Sequence, residues 1–273
     1  MLLKLIICQA EDNKKQSKIK SSAFVLKKIE LIMKNLKLTV ILILVSSMSL
    51  MAFKQELKQF NQEADRFLKK YVLDGKVDYK RLKDNFQEVD KLYKSLGSVN
   101  IDALTDNETK ALYINAYNII VIRQITEYFP LKSALDKNGF FDKVKHNVGG
   151  EMLTLDQIEK GKVIIPFRDP RVHFAFSCAA IGCPELANFA FTADKLDAQL
   201  DERTSNSINN PDFIKMKKNQ NQVELSMIFK WYERDFKMKA DDALSYINQY
   251  RKNKIPENYT IDFYEYDWNL NIQ

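Results

Sequence analysis

Between Glu108 and Phe129 lies the run ALYINAYNIIVIRQITEYF, whose apolar residues fall on nearly every side when wound at helical periodicity. A helix of that kind has no face to offer water, so the rest of the chain must enclose it. Thr105 or Asp106 stands where an N-cap is needed, and Pro130 cannot continue the helix. Inside the run, Asn115 and Asn118 sit one turn apart on the same face. A buried amide left without partners costs about 1–3 kcal/mol, so both side chains are expected to bond whatever packs against that face.

The segments available for wrapping are mostly helical. Phe53 to Leu73 carries Leu57, Phe60, Ala64, Phe67, Leu68 and Tyr71 at three-to-four spacing and ends at Asp74-Gly75. After the extended link Val77-Asp78-Tyr79, a second amphipathic helix is expected from Lys80 to Leu96, stopped by Gly97. His146 to Leu155 reads as two short strands around Gly149-Gly150, with His146 on the surface beside the turn. Thr154, three residues before Gln157, resembles a capping box for a short helix that contains Glu159 and ends at Gly161. Arg171 to Ser177, rich in aromatic and β-branched residues, is the strongest strand candidate. Further helices are expected at Ala193 to Ser205, from Ser226 to Phe236 and from Ala240 to Tyr250, and strands at Gln222 to Leu225 and Tyr259 to Tyr266. The expected class is α+β, a predominantly helical single domain over residues 53–273 with a small antiparallel sheet.

The N-terminus reads differently. Lys34 and Lys37 precede the apolar run Leu38 to Val45, which passes into Ser46-Ser47-Met48-Ser49-Leu50-Met51-Ala52. That is the pattern of a signal peptide over residues 33–52, cut between Ser49 and Ala52. The apolar stretch Leu38 to Ala52 is 15 residues, short of the roughly 20 that span a bilayer, so cleavage is favoured over an uncleaved anchor. Residues 1–32 are expected to be an extension ahead of a true start at Met33. These readings point to export, to a periplasmic or extracellular location.

Residues 1–52 hold nine of the 42 basic residues and three of the 36 acidic ones, so the remainder is electroneutral. The basic balance of the whole chain therefore gives no ground for a nucleic-acid partner. Of the three cysteines, Cys8 lies ahead of the cut, leaving Cys178 and Cys183 in an oxidising compartment. No Gly-rich phosphate loop, no Gly-x-Ser-x-Gly elbow and no His-Glu-x-x-His helix occurs.

The informative stretch is Arg171 to Pro184, RVHFAFSCAAIGCP. Taken with ALYINAYNIIVI, LTLDQIEKG, DPRVHFAFSCAAIGCPEL and IFKWYERDF in that order, spread over about residues 76–250, it resembles the family called domain of unknown function 547. The resemblance implies that the pattern is built around Asn115, Asn118, Glu159, His173, Cys178, Cys183, Trp231 and Asp235, and it implies no assigned activity. The chain departs from the pattern at Lys160, where a histidine is expected after Glu159. That departure weakens any scheme with a second histidine there.

Three readings of Cys178 stand side by side. As a nucleophile it would be activated by His173, the imidazole oriented by Asn115 or Glu159, with amides of the Ala179-to-Gly182 loop as an oxyanion hole. As half of a Cys178–Cys183 disulfide it would stiffen the loop, although Cys-x4-Cys is not the oxidoreductase spacing. As a zinc ligand it would join His173, Cys183 and Glu159, without the tight spacing of zinc motifs. Inert buried thiols are the remaining case. Against each functional reading stands a plainer one: Asn115 and Asn118 as brackets for backbone, Trp231 and Tyr232 as core packing, Lys230 and Asp235 as a solvated or salt-bridged face. The expected function is a cysteine-dependent hydrolase or acyl transferase on an amide or thioester, with catalytic Cys178, His173, Asn115 and Glu159, no cofactor and no metal. The alternative is a non-catalytic binding or scaffold module with the Cys178–Cys183 bridge, holding a small-molecule or peptide ligand.

Overall fold

The apolar run folds as the helix Asp106–Tyr128 in the computed structural model, which describes residues 55–273 together with 15, 18, 28, 33–37, 39 and 41. Ile119, Ile120, Val121 and Ile122 are all at most 2% exposed, and four consecutive residues at 100° per step cover the whole circumference. Each of these side chains contributes about 1.5–3 kcal/mol by leaving water. Thr105 caps the helix in a reciprocal box with Glu108, one of the two caps expected.

In chain order, α1 (residues 55–71) leads into a hairpin of β1 (Val72–Leu73) and β2 (Lys76–Val77). Asp74 and Gly75 both have positive φ, the turn geometry that suits a two-residue hairpin, so the dipeptide that ends α1 also reverses the chain. The helix expected at Lys80 to Leu96 is two helices, α2 (Tyr79–Asp84) and α3 (Phe86–Ser95). Asn85 divides them: its backbone leaves the helical region and its side-chain amide donates to the Arg81 carbonyl at 2.8 Å. The central helix is α4. The Gly149-Gly150 hairpin appears as expected, joining β3 (His146–Val148) to β4 (Glu151–Leu153).

Helix α5 covers Gln157–Ile164 with wide π-type turns and runs on through Ile165–Phe167. It does not end at Gly161, because a glycine on an open helix surface costs only about 1 kcal/mol while Ile158 and Val163 are buried on either side of it. Then follow α6 (Leu196–Asn209), β5 (Ile214–Lys217), β6 (Gln222–Leu225), α7 (Met227–Trp231), α8 (Glu233–Phe236), α9 (Ala243–Tyr250) and β7 (Thr260–Phe263). Ser226 caps α7 as expected. The class is α+β and mostly helical. Antiparallel pairing holds for β1–β2, β3–β4 and β5–β6, and β7 adds to β6 in parallel, Val223 facing Ile261.

The strand expected at Arg171 to Ser177 is absent; a 3₁₀ turn occupies Pro170–Phe174. Alternation needs one wet face, and here Val172, His173, Phe174, Ala175 and Phe176 are all buried. In a 3₁₀ turn residues three apart eclipse, which puts Val172 and Ala175 together in the core around α4. Phe174 points instead into a second core, where Phe213, Phe229 and Phe236 lie 5.9–6.2 Å away by ring centroid. The segment is the seam between two cores.

Residues Phe53–Gln273 make up one compact unit and Met1–Ala52 another. In the latter the described residues are helical and exposed, with the Thr39 hydroxyl donating to the Asn35 carbonyl at 2.9 Å. The expected extension 1–32 and signal segment 33–52 lie largely outside the described residues. Among the described residues no helix is long and apolar enough to cross a membrane.

His146 corrects the surface expectation: it is buried, its Nδ1 is 3.2 Å from the Tyr93 hydroxyl, and the two rings meet edge to face. Burial, seconded by the charge of Arg123, lowers its pKa from 6.5 to about 4. Above pH 6.5 the ring is neutral in both folded and unfolded chains. As pH falls toward 4 only the unfolded chain takes up the proton, so this residue removes stability across that window, about 3 kcal/mol by its lower end. Urea unfolding at pH 7 and pH 4.5 should show a smaller drop in His146→Asn than in the wild type. An equal drop would contradict the burial argument.

The two hairpin glycines give a second test. Both have positive φ, but a Cβ on Gly149 would lie 2.2 Å from the Ile101 Cδ1, whereas one on Gly150 meets nothing within 4 Å. Gly150→Ala should cost about 1–2 kcal/mol from backbone strain alone. Gly149→Ala should cost more, by about 1–3 kcal/mol of overpacking, and thermal unfolding of the pair measures the difference.

Candidate functional site

The residues singled out from the sequence separate into two groups in space. Asn115 and Asn118 use their amides on backbone. Asn115 accepts from the Phe191 amide and donates to the Phe191 carbonyl, both at 2.8 Å. Asn118 donates to the Ala175 carbonyl and accepts from the Ser177 amide, both at 2.9 Å. The expected role of Asn115 in orienting His173 is therefore corrected: its donor and acceptor are already matched to one loop residue. Asn118 instead fixes the chain just ahead of Cys178.

Cys178 and Cys183 are joined as a disulfide. A bonded sulfur holds no thiolate, so the nucleophile assigned to Cys178 is corrected, and the zinc reading loses both of its sulfur ligands with it. The tyrosine hydroxyl of Tyr266 sits against both sulfurs, 3.1 Å from Cys178 Sγ and 3.0 Å from Cys183 Sγ, and the Cys178 amide donates to Cys183 Sγ at 2.9 Å. The oxyanion hole expected in the loop is corrected as well. Ile181 donates its amide to the Asn269 carbonyl at 2.8 Å and Gly182 to the Asp267 carbonyl at 2.9 Å, which straps the loop to the C-terminal tail. Gly182 permits that approach, since a Cβ there would come within 3.0 Å of the Asp267 amide nitrogen.

His173 and Glu159 do share a site. The 3₁₀ turn that sends Val172 and Phe174 into separate cores sends His173 toward a cleft of about 300 Å³, which Glu159 from α5, Tyr232 from between α7 and α8, and the disulfide also line. His173 Nε2 lies 2.9 Å from an Asp235 carboxylate oxygen, and the imidazole stacks on the Tyr232 ring at 3.9 Å between centroids. The Tyr232 hydroxyl in turn donates to Glu159 Oε1 at 2.7 Å. With Nε2–H donating to Asp235, Nδ1 of a neutral imidazole is an acceptor, and it is buried with no partner. Burial raises the Glu159 carboxyl above the ordinary carboxylate range, against the pull of the Tyr232 hydroxyl. Burial, together with the neighbouring Glu159, holds the Tyr232 hydroxyl far above its usual value. In both groups the cause is the same: the buried setting disfavours the charged form. The outer wall is aromatic: Trp231, Tyr266 and Trp268 pack on one another at 4.8–6.2 Å between centroids, and Trp231 is 48% exposed.

Trp231, expected as core packing, is thus corrected to a half-exposed residue in the lining of the cleft, while of the two alternatives for Asp235, solvated or salt-bridged, the structure has the paired one, with His173. Tyr232 and Asp235 are three apart in IFKWYERDF, which puts them on one helical face and was the available signal for their common partner. Tyr266 and Trp268, 88 and 90 positions beyond Cys178 in the sequence, carried no such local mark.

The asparagine brackets predict a measurable cost. Asn118→Ala leaves the Ala175 carbonyl and Ser177 amide buried and unpaired, and should lower unfolding free energy in urea by about 2–4 kcal/mol. Asn85→Ala, at an exposed position, should change it by less than about 1 kcal/mol. Similar losses in both would remove the case for Asn118 as a bracket.

Comparison with protein families matches residues 101–208 to the family described as "Protein of unknown function, DUF547". No curated protein and no solved structure matches. The matched span takes in Asn115, Asn118, Glu159, His173, Cys178 and Cys183 and stops short of Trp231 and Asp235. The match over residues 101–208 supports assigning this chain to the DUF547 family.

Proposed function

We propose that this protein is an exported, non-catalytic binding module whose cleft beside the Cys178–Cys183 bridge takes a small ligand. The observation that carries the reading is the acceptor Nδ1 of His173, buried without a partner in the wall of a ready-made cleft. A buried acceptor left unpaired costs about 1–3 kcal/mol, and a ligand donor removes that cost. The disulfide supports the binding reading over the cysteine hydrolase, because it removes the nucleophile while bracing the wall of the cleft. A volume of about 300 Å³ lies at the lower end of the range for small-molecule sites and suits a compact ligand with an apolar face and a few polar groups. Export rests on the signal pattern around Lys34, Lys37 and the apolar run that follows.

The test has two arms. Unreduced protein treated with iodoacetamide should show no label on Cys178 or Cys183, and label on Cys178 would restore the cysteine enzyme. A ligand-observed NMR screen of small ring-bearing compounds should yield binders whose signals vanish with Trp231→Ala, a rim position whose truncation leaves the core intact. A screen without Trp231-dependent binders would overturn the binding module.

A further inference from the structure

The chemistry of the cleft lining is lopsided. The cleft is lined by Trp231, Tyr266 and Trp268 together with Glu159, Asp156 and His173, whose Nδ1 is buried without a partner. Among the described residues no lysine or arginine lines it. Lys160, whose charge is felt by Glu159, has its ammonium 2.9 Å from Asp156 in an exposed i,i+4 pair. Such a pair is worth about 0–1 kcal/mol and gives way easily to a competing charge. An anionic ligand would thus meet carboxyls and π-faces with nothing to neutralise it, whereas a cation would meet the negative faces of the rings and acceptor atoms.

Resting on the binding reading above, we propose that the cleft binds an organic ammonium ion: a protonated amine on a compact apolar body, its charged nitrogen between the aromatic wall and Glu159 and an N–H donated to His173 Nδ1. Three observations converge on this class. Glu159 commits Oε1 to the Tyr232 hydroxyl, which leaves Oε2 for a donor. His173 is held by Asp235 with its remaining ring nitrogen as an acceptor, so a ligand donor is what completes it. The tryptophan on the rim is 48% exposed beside two further rings, the arrangement in which cation–π attraction adds to apolar contact.

The experiment titrates the unreduced protein, by tryptophan fluorescence and calorimetry, with four probes of one shape: benzylamine as its cation, benzyltrimethylammonium, benzyl alcohol and benzoate. Benzylammonium should bind about tenfold more tightly than benzyl alcohol, with benzyltrimethylammonium between them because it has the charge without the N–H, and benzoate weakest. Glu159→Gln, which keeps the size of the side chain and an acceptor for Tyr232, should bring the benzylammonium to benzyl alcohol ratio close to one. Trp231→Ala should weaken all four. Benzyl alcohol or benzoate binding as tightly as benzylammonium would overturn the ammonium assignment and leave the binding module standing. Equal binding of all probes to wild type and Trp231→Ala would overturn both.

Discussion

Everything about the site depends on α4 having no wet face. A helix buried around its full circumference cannot turn an asparagine outward, so Asn115 and Asn118 must satisfy their amides within the protein. Each does so by gripping the backbone of a loop that has no regular pairing of its own: Phe191 in one case, Ala175 and Ser177 in the other. The loop that carries the disulfide is thereby fixed to the buried central helix before any side chain of the cleft is considered. The same burial that requires the amides to be bonded makes those bonds hard for water to replace.

The second requirement is a join between two cores, and the residues 169–176 provide it. Asp169 lies 3.2 Å from the Lys110 ammonium of α4 and 2.9 Å from Arg171, which also reaches Asp197 and Asp201 on α6. Nearby, Lys110 and Asp169 are only 11% exposed, so their desolvation offsets much of the attraction and the pair is better regarded as fixing position than as adding stability. From that anchored start a 3₁₀ turn sends successive side chains in three directions. Val172 goes to the α4 core, Phe174 to the aromatic core and His173 to the cleft. A strand would have offered only two directions.

This explains which parts of the molecule were legible in the sequence. The all-round apolar run, the Thr105 and Thr154 boxes, the Gly149-Gly150 hairpin and the Ser226 cap are local rules, and local rules hold where neighbours in sequence are neighbours in space. The stretch at Arg171 to Ser177 misled because strand-favouring residue types were read as a pleat, when their apolarity reflected two cores rather than one face. Gly161 misled in the opposite sense, a helix breaker overruled by the packing of Ile158 and Val163. At the site, Glu159, His173 and the two cysteines, all named from the sequence, line one cleft, whereas nothing there marked the partner each would take. Asp235 is 62 residues from His173, Tyr232 is 73 from Glu159 and Tyr266 is 88 from Cys178, separations at which spacing carries no information.

The arrangement of the cleft argues for preorganisation. Its floor is held by Asn118, its loop by the disulfide and by the amides that Ile181 and Gly182 give to the C-terminal tail, and its imidazole by Asp235 and the stacked ring of Tyr232. Nearly every polar group in that frame is matched, and the tyrosine hydroxyl of Tyr266 is matched even to the sulfurs. Among the described residues several buried polar atoms have no partner, Ser177 Oγ ahead of the bridge being one, and His173 Nδ1 is the one whose residue lines the cleft. An acceptor that is fixed, desolvated and unpaired gains more from an incoming donor than one already bonded to water, and it loses no side-chain entropy when the donor arrives. The same rigidity that leaves the site with an unmet hydrogen bond in isolation is what makes it selective for a ligand able to complete it.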